Sequence, residues 1–169
     1  MMDAAAFRTL NHDLDVRILS LVDHLDPGQL HTLEPVPEGA EAWSAAIVLG
    51  HLAEFPRFFA AELRRFLADP TAPVGRTHEH PERLLALQNA AGRSLDELRT
   101  AVGAAFADLA LALEELTDDH LPMTTNNRRY GDEPLTAFLD RYVTGHKRGH
   151  LDQLASMPAA VSSSGSGEG

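Results

Sequence analysis

The sequence predicts an all-α protein, a four-helix bundle with long connecting loops. Three observations carry that expectation. Apolar residues recur at three- and four-residue spacing through four long segments, the period of a helix face packed on a core. No stretch alternates apolar and polar residues over strand length, so no strand is expected. Proline- and glycine-containing connectors separate the segments, which leaves the helices to bury their stripes against one another.

The first helix is expected over Asp3–Leu25. Phe7, Leu10, Leu14, Ile18, Leu21 and Leu25 form its stripe, with Asp13, Asp15, Arg17 and Asp23 outside it. Pro27-Gly28 ends it, and His12 and His24, off the stripe, are expected in solvent. Residues 26–42 form a connector containing Pro35, Pro37 and Gly39. Ser44, after the single Trp43, suits the N-cap of a second helix over Ala45–Ala68. Its inner face is Val48, His51/Leu52, Phe55, Phe59, Leu63 and Phe66. Pro56 cannot donate to the Leu52 carbonyl, so a bend is expected just after His51, either widening a pocket or tolerated as a kink.

Residues 69–81 form a second loop bearing His78 and His80, expected solvated because a ligand needs fixed surroundings. Pro81 suits a first helical position ahead of Glu82–Ala91. Ser94-Leu95-Asp96-Glu97 has the capping-box form, and Leu95 to Leu116 carries the third long stripe. Thr117–Glu133 is expected as a polar loop. Pro134 then opens a last helix, Leu135–Leu154, with Leu135, Leu139, Tyr142, His146 and His150 on one face. Residues 1–157 are expected to form one domain, and 158–169 a disordered tail.

Composition narrows the function. A net charge of −11 argues against a nucleic-acid-binding face, which needs clustered Lys and Arg. No apolar run is long enough for a membrane helix, and the N-terminus lacks a secretory core, so a cytoplasmic protein is expected. With no cysteine, any metal must rest on His, Asp or Glu.

Histidines four apart on a helix can point nitrogens at one ion. For nine histidines in 169 residues, about 0.5 such pairs arise by chance, so His146/His150 alone says little. Position strengthens the pair, because both continue an apolar stripe and His51 lies on the inner face of another helix. Convergent imidazoles are costly to bury without a cation, and bundle cores build metal sites from facing helices. Three His ligands leave a coordination position open, the pattern of catalytic sites. That donor set does not choose the metal: zinc is the first expectation, and nickel, iron and manganese all remain possible. Glu54, one turn beyond His51, is a candidate general base or an acceptor behind the ligand.

Trp43-Ser44, Leu49-Gly50-His51-Leu52-Ala53, and Gly131…Leu135…His146-x-x-x-His150-Leu151-x-Gln153 resemble the DinB/YfiT-like superfamily. That superfamily includes mycothiol- and bacillithiol-dependent transferases and maleylpyruvate isomerases. The resemblance spans roughly residues 3–156 and implies a DinB-like four-helix bundle, often a homodimer, with a divalent metal on His51, His146 and His150. Pro56 departs from the pattern. The implied chemistry is thiol transfer: a low-molecular-weight thiol such as mycothiol or bacillithiol is activated for attack on an electrophilic small molecule. Tyr142 becomes a candidate catalytic residue, and Arg128 and Arg129 become candidates for binding carboxylates of thiol or substrate. Two other functions share these ligands, a metal-dependent hydrolase and a non-catalytic metal-binding stress-response protein.

Overall fold

The computed structural model describes residues 2–35 and 41–157. Pro37 and Gly39 of the expected connector, and the expected tail from Pro158, lie outside the described residues. Helix α1 spans Ala4–Val22, α2 Ala45–Ala68, α3 Pro81–Ala90 and α4 Leu95–Glu114. A hairpin of β1 (Thr124–Asn127) and β2 (Gly131–Pro134) follows. The last helix comprises α5 (Leu135–Leu139), a π-helical stretch Asp140–Gly145, and α6 (His146–Ala155).

The caps set the helix starts. Asp3 accepts from Ala6 N–H at 2.7 Å, and Ser44 from Ile47 N–H at 3.3 Å. Ser94 and Glu97 close the capping box reciprocally. Helix α2 runs as one element through Pro56.

Helices α1, α2, α4 and the α5–α6 unit form the bundle. Helix α2 packs most extensively on α4, α1 packs on α4 and α6, and α3 lies against the outer side of α2. Gly50 permits that last contact, because a Cβ there would come within 2.5 Å of Ala90 Cβ. The core divides into two apolar clusters. One holds Phe7, Phe55, Phe59, Leu63, Leu109, Phe138 and Val143. The other holds Leu14, Ile18, Val48, Leu52, Phe106, Leu151 and Leu154. Between them, on three helices, sit the polar residues Asn11 and Asp15, His51, and His146, Lys147 and His150. The bundle therefore has a polar waist.

Two expectations are corrected. Asp15, placed outside the α1 stripe, is buried at the waist, where Lys147 forms an ion pair with it and donates to Asn11 Oδ1 at 2.6 Å. The Thr117–Glu133 loop contains a hairpin pairing Thr124 with Pro134 through Asn127 with Gly131. Its inward residues are Thr125 and Asn127, both buried but polar, so no apolar alternation announces the strand. Asn127 donates to Glu133 Oε1 at 2.6 Å and accepts from Arg129 N–H at 2.9 Å. Val74 bridges to β1, so contacts distant in sequence set the hairpin. His12 and His24 are exposed as expected.

Candidate metal centre

Helix α2 carries His51 at the waist, and α6 carries His146 and His150 one turn apart. Their Nε2 atoms meet: His146 Nε2 lies 3.0 Å from His51 Nε2 and 3.0 Å from His150 Nε2. The three side chains offer ligand atoms all within 4.8 Å of one another. Trp43 lies nearly parallel to His150 at 5.7 Å, and Phe55 stacks on His146 at 3.6 Å. These rings wall the cluster on two sides.

All three imidazoles are held neutral. Burial is the main cause, pushing His51 far below its ordinary range, His146 down to about 2, and His150 lower as well. The neighbouring imidazoles act in the same direction for His51 and His146. Neutral rings expose lone pairs, and here the proton count is short. His146 Nε2 carries at most one proton yet faces two nitrogens at hydrogen-bond distance. A divalent cation would accept all three lone pairs, so the donor set fits such an ion. Nitrogens at this spacing need only small adjustments to reach an ion at about 2.0–2.1 Å from each.

The far side of each ring differs. His150 Nδ1 pairs with Gln153 Oε1 at 3.0 Å. Among the described residues His51 Nδ1 is buried without a hydrogen-bond partner, and its nearest carboxylate oxygen is Glu54 Oε2 at 4.0 Å.

The cluster opens into a cavity of about 630 Å³ lined also by Trp43, Phe59, Arg76, His78, Arg83, Arg129, Tyr130, Arg141 and Tyr142. Three of its four arginines have a carboxylate partner: Arg76 with Glu54 at 2.5 and 2.6 Å, Arg83 with Glu41 at 3.3 Å, and Arg141 with Glu133 at 2.6 Å. Arg129 contacts His78 Nε2 at 2.7 Å and has no carboxylate partner among the described residues.

The other sequence candidates separate in space. Tyr142 lines the cavity, stacked on Phe59 at 4.5 Å, with a buried hydroxyl near Asn127 and a pKa raised by burial. Arg128 does not line it; its guanidinium donates to Glu62 at 3.1 Å and to the Gly75 carbonyl at 2.8 Å. Glu54 is also outside the cavity lining, with both oxygens engaged by Arg76. His78 is exposed at the rim. Arg76, Arg83 and Arg141 were not singled out by the sequence, where isolated arginines carry no periodic signal. Their only advance mark was abundance, since nearly every basic residue is arginine.

A family model described as the mycothiol maleylpyruvate isomerase N-terminal domain matches residues 12–144. The chain belongs to that family. With it the chain falls in the DinB/YfiT-like superfamily. Solved structures agree on the bundle of this DinB-like protein. YfiT from Bacillus subtilis, described as a probable metal-dependent hydrolase, is 17% identical, with a TM-score of 0.68 over 90% of this chain and 85% of that one. The mycothiol-dependent maleylpyruvate isomerase is 14% identical, with a TM-score of 0.69 over 94% of this chain and 62% of that one. The colibactin self-resistance protein ClbS, solved with double-stranded DNA, is 10% identical, with a TM-score of 0.68 over 92% and 95%. Since a DinB-like fold can be solved on DNA, the expectation of no nucleic-acid partner rests on net charge alone. No curated protein matches the sequence. Among the described residues, no helix of this DinB-like chain is long and apolar enough to cross a membrane.

Proposed function

We propose that this protein is a metal-dependent S-transferase or isomerase that uses a low-molecular-weight thiol against an electrophilic small molecule. The observation that carries this reading is the convergence of three neutral Nε2 atoms at the floor of a roomy cavity. His51, His146 and His150 would hold a divalent ion, zinc first, which supplies the Lewis acidity that turns a thiol into a thiolate nucleophile. Trp43 and Phe55 shield the cluster from water on the protein side. Arg129, which has no carboxylate partner among the described residues, would take an anionic group of thiol or substrate. Tyr142 lines the cavity wall as well and would bound the space open to the substrate. The chain contains no cysteine and so no thiol of its own, in keeping with a thiol delivered as cofactor.

A hydrolase would need a base at the open side of the site. Glu54, the candidate for that role, is tied to Arg76 and lies outside the cavity lining, which favours thiol transfer. Metal analysis of purified wild type and His150→Ala tests the ligand set. About one equivalent is expected in the wild type and a large loss in the variant; equal content in both would sink the assignment. Turnover is then followed as thiol consumption across small thiols, including mycothiol and bacillithiol, with electrophilic acceptors. Metal-loaded protein that consumes none of them would reduce the role to metal binding without catalysis.

A further inference from the structure

Of the three imidazoles at the waist, His51 has an unfilled requirement. An imidazole that offers Nε2 to a cation keeps its proton on Nδ1. That N–H must then find an acceptor, because a buried donor left alone carries the full desolvation cost of its polar group. His150 has one in Gln153 Oε1 at 3.0 Å. His51 Nδ1 is buried and has none. Nearest among the carboxylates is Glu54, three residues on along α2, with Oε2 4.0 Å away.

Glu54 is not free to wander. Arg76, itself buried, grips both of its oxygens, at 2.5 and 2.6 Å. The Arg76 guanidinium lies over the Phe58 ring at 4.2 Å, so it is fixed in turn. The couple spans the two sides of α2. Arg76 lines the histidine cavity, whereas Glu54 lines a neighbouring groove of about 700 Å³ on the α3 side. Two consequences follow. The grip keeps the carboxylate from swinging into the cavity as a further ligand, which would close the open position. It also aims Oε2 toward His51 with its charge balanced, so that a shift of about 1 Å makes the hydrogen bond.

We infer that Glu54, clamped by Arg76, is the acceptor for His51 Nδ1–H in the metal-loaded protein, a positioning residue that fixes the ring's tautomer and strengthens its donor nitrogen. This rests on the ligand assignment proposed above. A carboxylate behind a ligating histidine typically changes metal affinity about 10–100-fold.

The test is a titration of the metal-free 169-residue chain with Co²⁺ alone, followed by visible absorption, for wild type, Glu54→Gln, Glu54→Asp and His150→Ala. In parallel, the imidazole N–H resonances of the zinc-loaded proteins are recorded by NMR. Glu54→Gln is expected to bind Co²⁺ about 10–100-fold more weakly, with a changed absorption band. A downfield His51 Nδ1–H signal is expected in the wild type and lost in the variant. Glu54→Asp keeps the charge beside Arg76 but withdraws the oxygen, and a weakened site is expected there too; it carries the test if Glu54→Gln does not fold. Wild-type affinity, band and resonance in both Glu54 variants, with binding abolished in His150→Ala, would overturn this inference and leave the ligand set standing. A wild type that binds no Co²⁺ would overturn both.

Discussion

Lys147, the single lysine of the chain, is among its most deeply buried side chains. It follows His146 directly, faces α1 rather than the histidine cavity, and lies 4.3 Å from the Phe106 ring centroid. A compact ammonium with three donors can satisfy Asp15 and Asn11 in a space between α1, α4 and α6 where a planar guanidinium would need room for its fork. Burial pulls both charges toward neutrality, raising Asp15 and lowering Lys147 against their mutual attraction. Breaking such a pair strands its partner. Lys147→Met is expected to cost about 3–5 kcal/mol in urea unfolding, and Lys147→Met with Asp15→Leu to recover most of it. Equal stability in wild type and Lys147→Met would show that the pair contributes nothing to holding α6 against α1. No periodicity marks Asp15 in advance, since a carboxylate beside an apolar stripe is normally solvated.

At the scale of elements, the last helix departs most from a regular pattern. Leu139, Val143, Lys147 and Leu151 stand four apart and are all buried. In a regular α-helix a row spaced by four rotates about 40° per step and would leave the core. The wider π turn at Asp140–Gly145 cancels that drift, so the row stays inside while His146 and His150 also face inward. Gly145 makes the turn possible, because a Cβ there would lie 2.6 Å from the Asp140 carbonyl oxygen. Gly145→Ala is therefore expected to lower the melting temperature by several degrees and weaken Co²⁺ binding, as relief of the clash moves His146. Unchanged metal affinity in a folded Gly145→Ala protein would mean the π turn does not set the site. Hydrophobic period could not reveal this turn, since a spacing of three and four suits an α-helix equally well.

For the whole molecule, the metal-free state concentrates three neutral imidazoles in one waist, His51 and His150 buried and His146 half-buried. Their folded pKa values lie below the unfolded value of about 6.5, so above that pH neither state takes up protons at these groups. As pH falls below about 6.5 the unfolded chain binds protons that the folded chain refuses, and stability declines by up to about 1.4 kcal/mol per pH unit for each histidine. Denaturant midpoints of the metal-free protein from pH 8 to 5 should fall along that limb. A flat midpoint there would show that the histidines are not buried as neutral groups. Charge is also unevenly placed. A chain of net charge −11 collects four arginines around one cavity, and Arg129 has no acidic partner among the described residues. Arg129→Gln is expected to raise KM for an anionic substrate with little change for a neutral one, read from initial rates across matched electrophiles.

The sequence by itself determined the helical class, the four long stripes, the caps at Ser44 and Ser94, and the three histidines facing inward. Each is a local matter, set by periodicity, by hydrogen bonding within one turn, or by position on one helix face. What only the tertiary structure decided is how separate segments meet. Whether His51 reaches His146, 95 positions further along the chain, depends on how α2 and α6 pack. The Thr124–Pro134 hairpin needs Val74 beside it, and Glu54 acquires its neighbour Arg76 from a loop 22 residues away. Those pairings are non-local and made by polar groups, whose burial becomes favourable only after a partner from elsewhere in the chain has arrived.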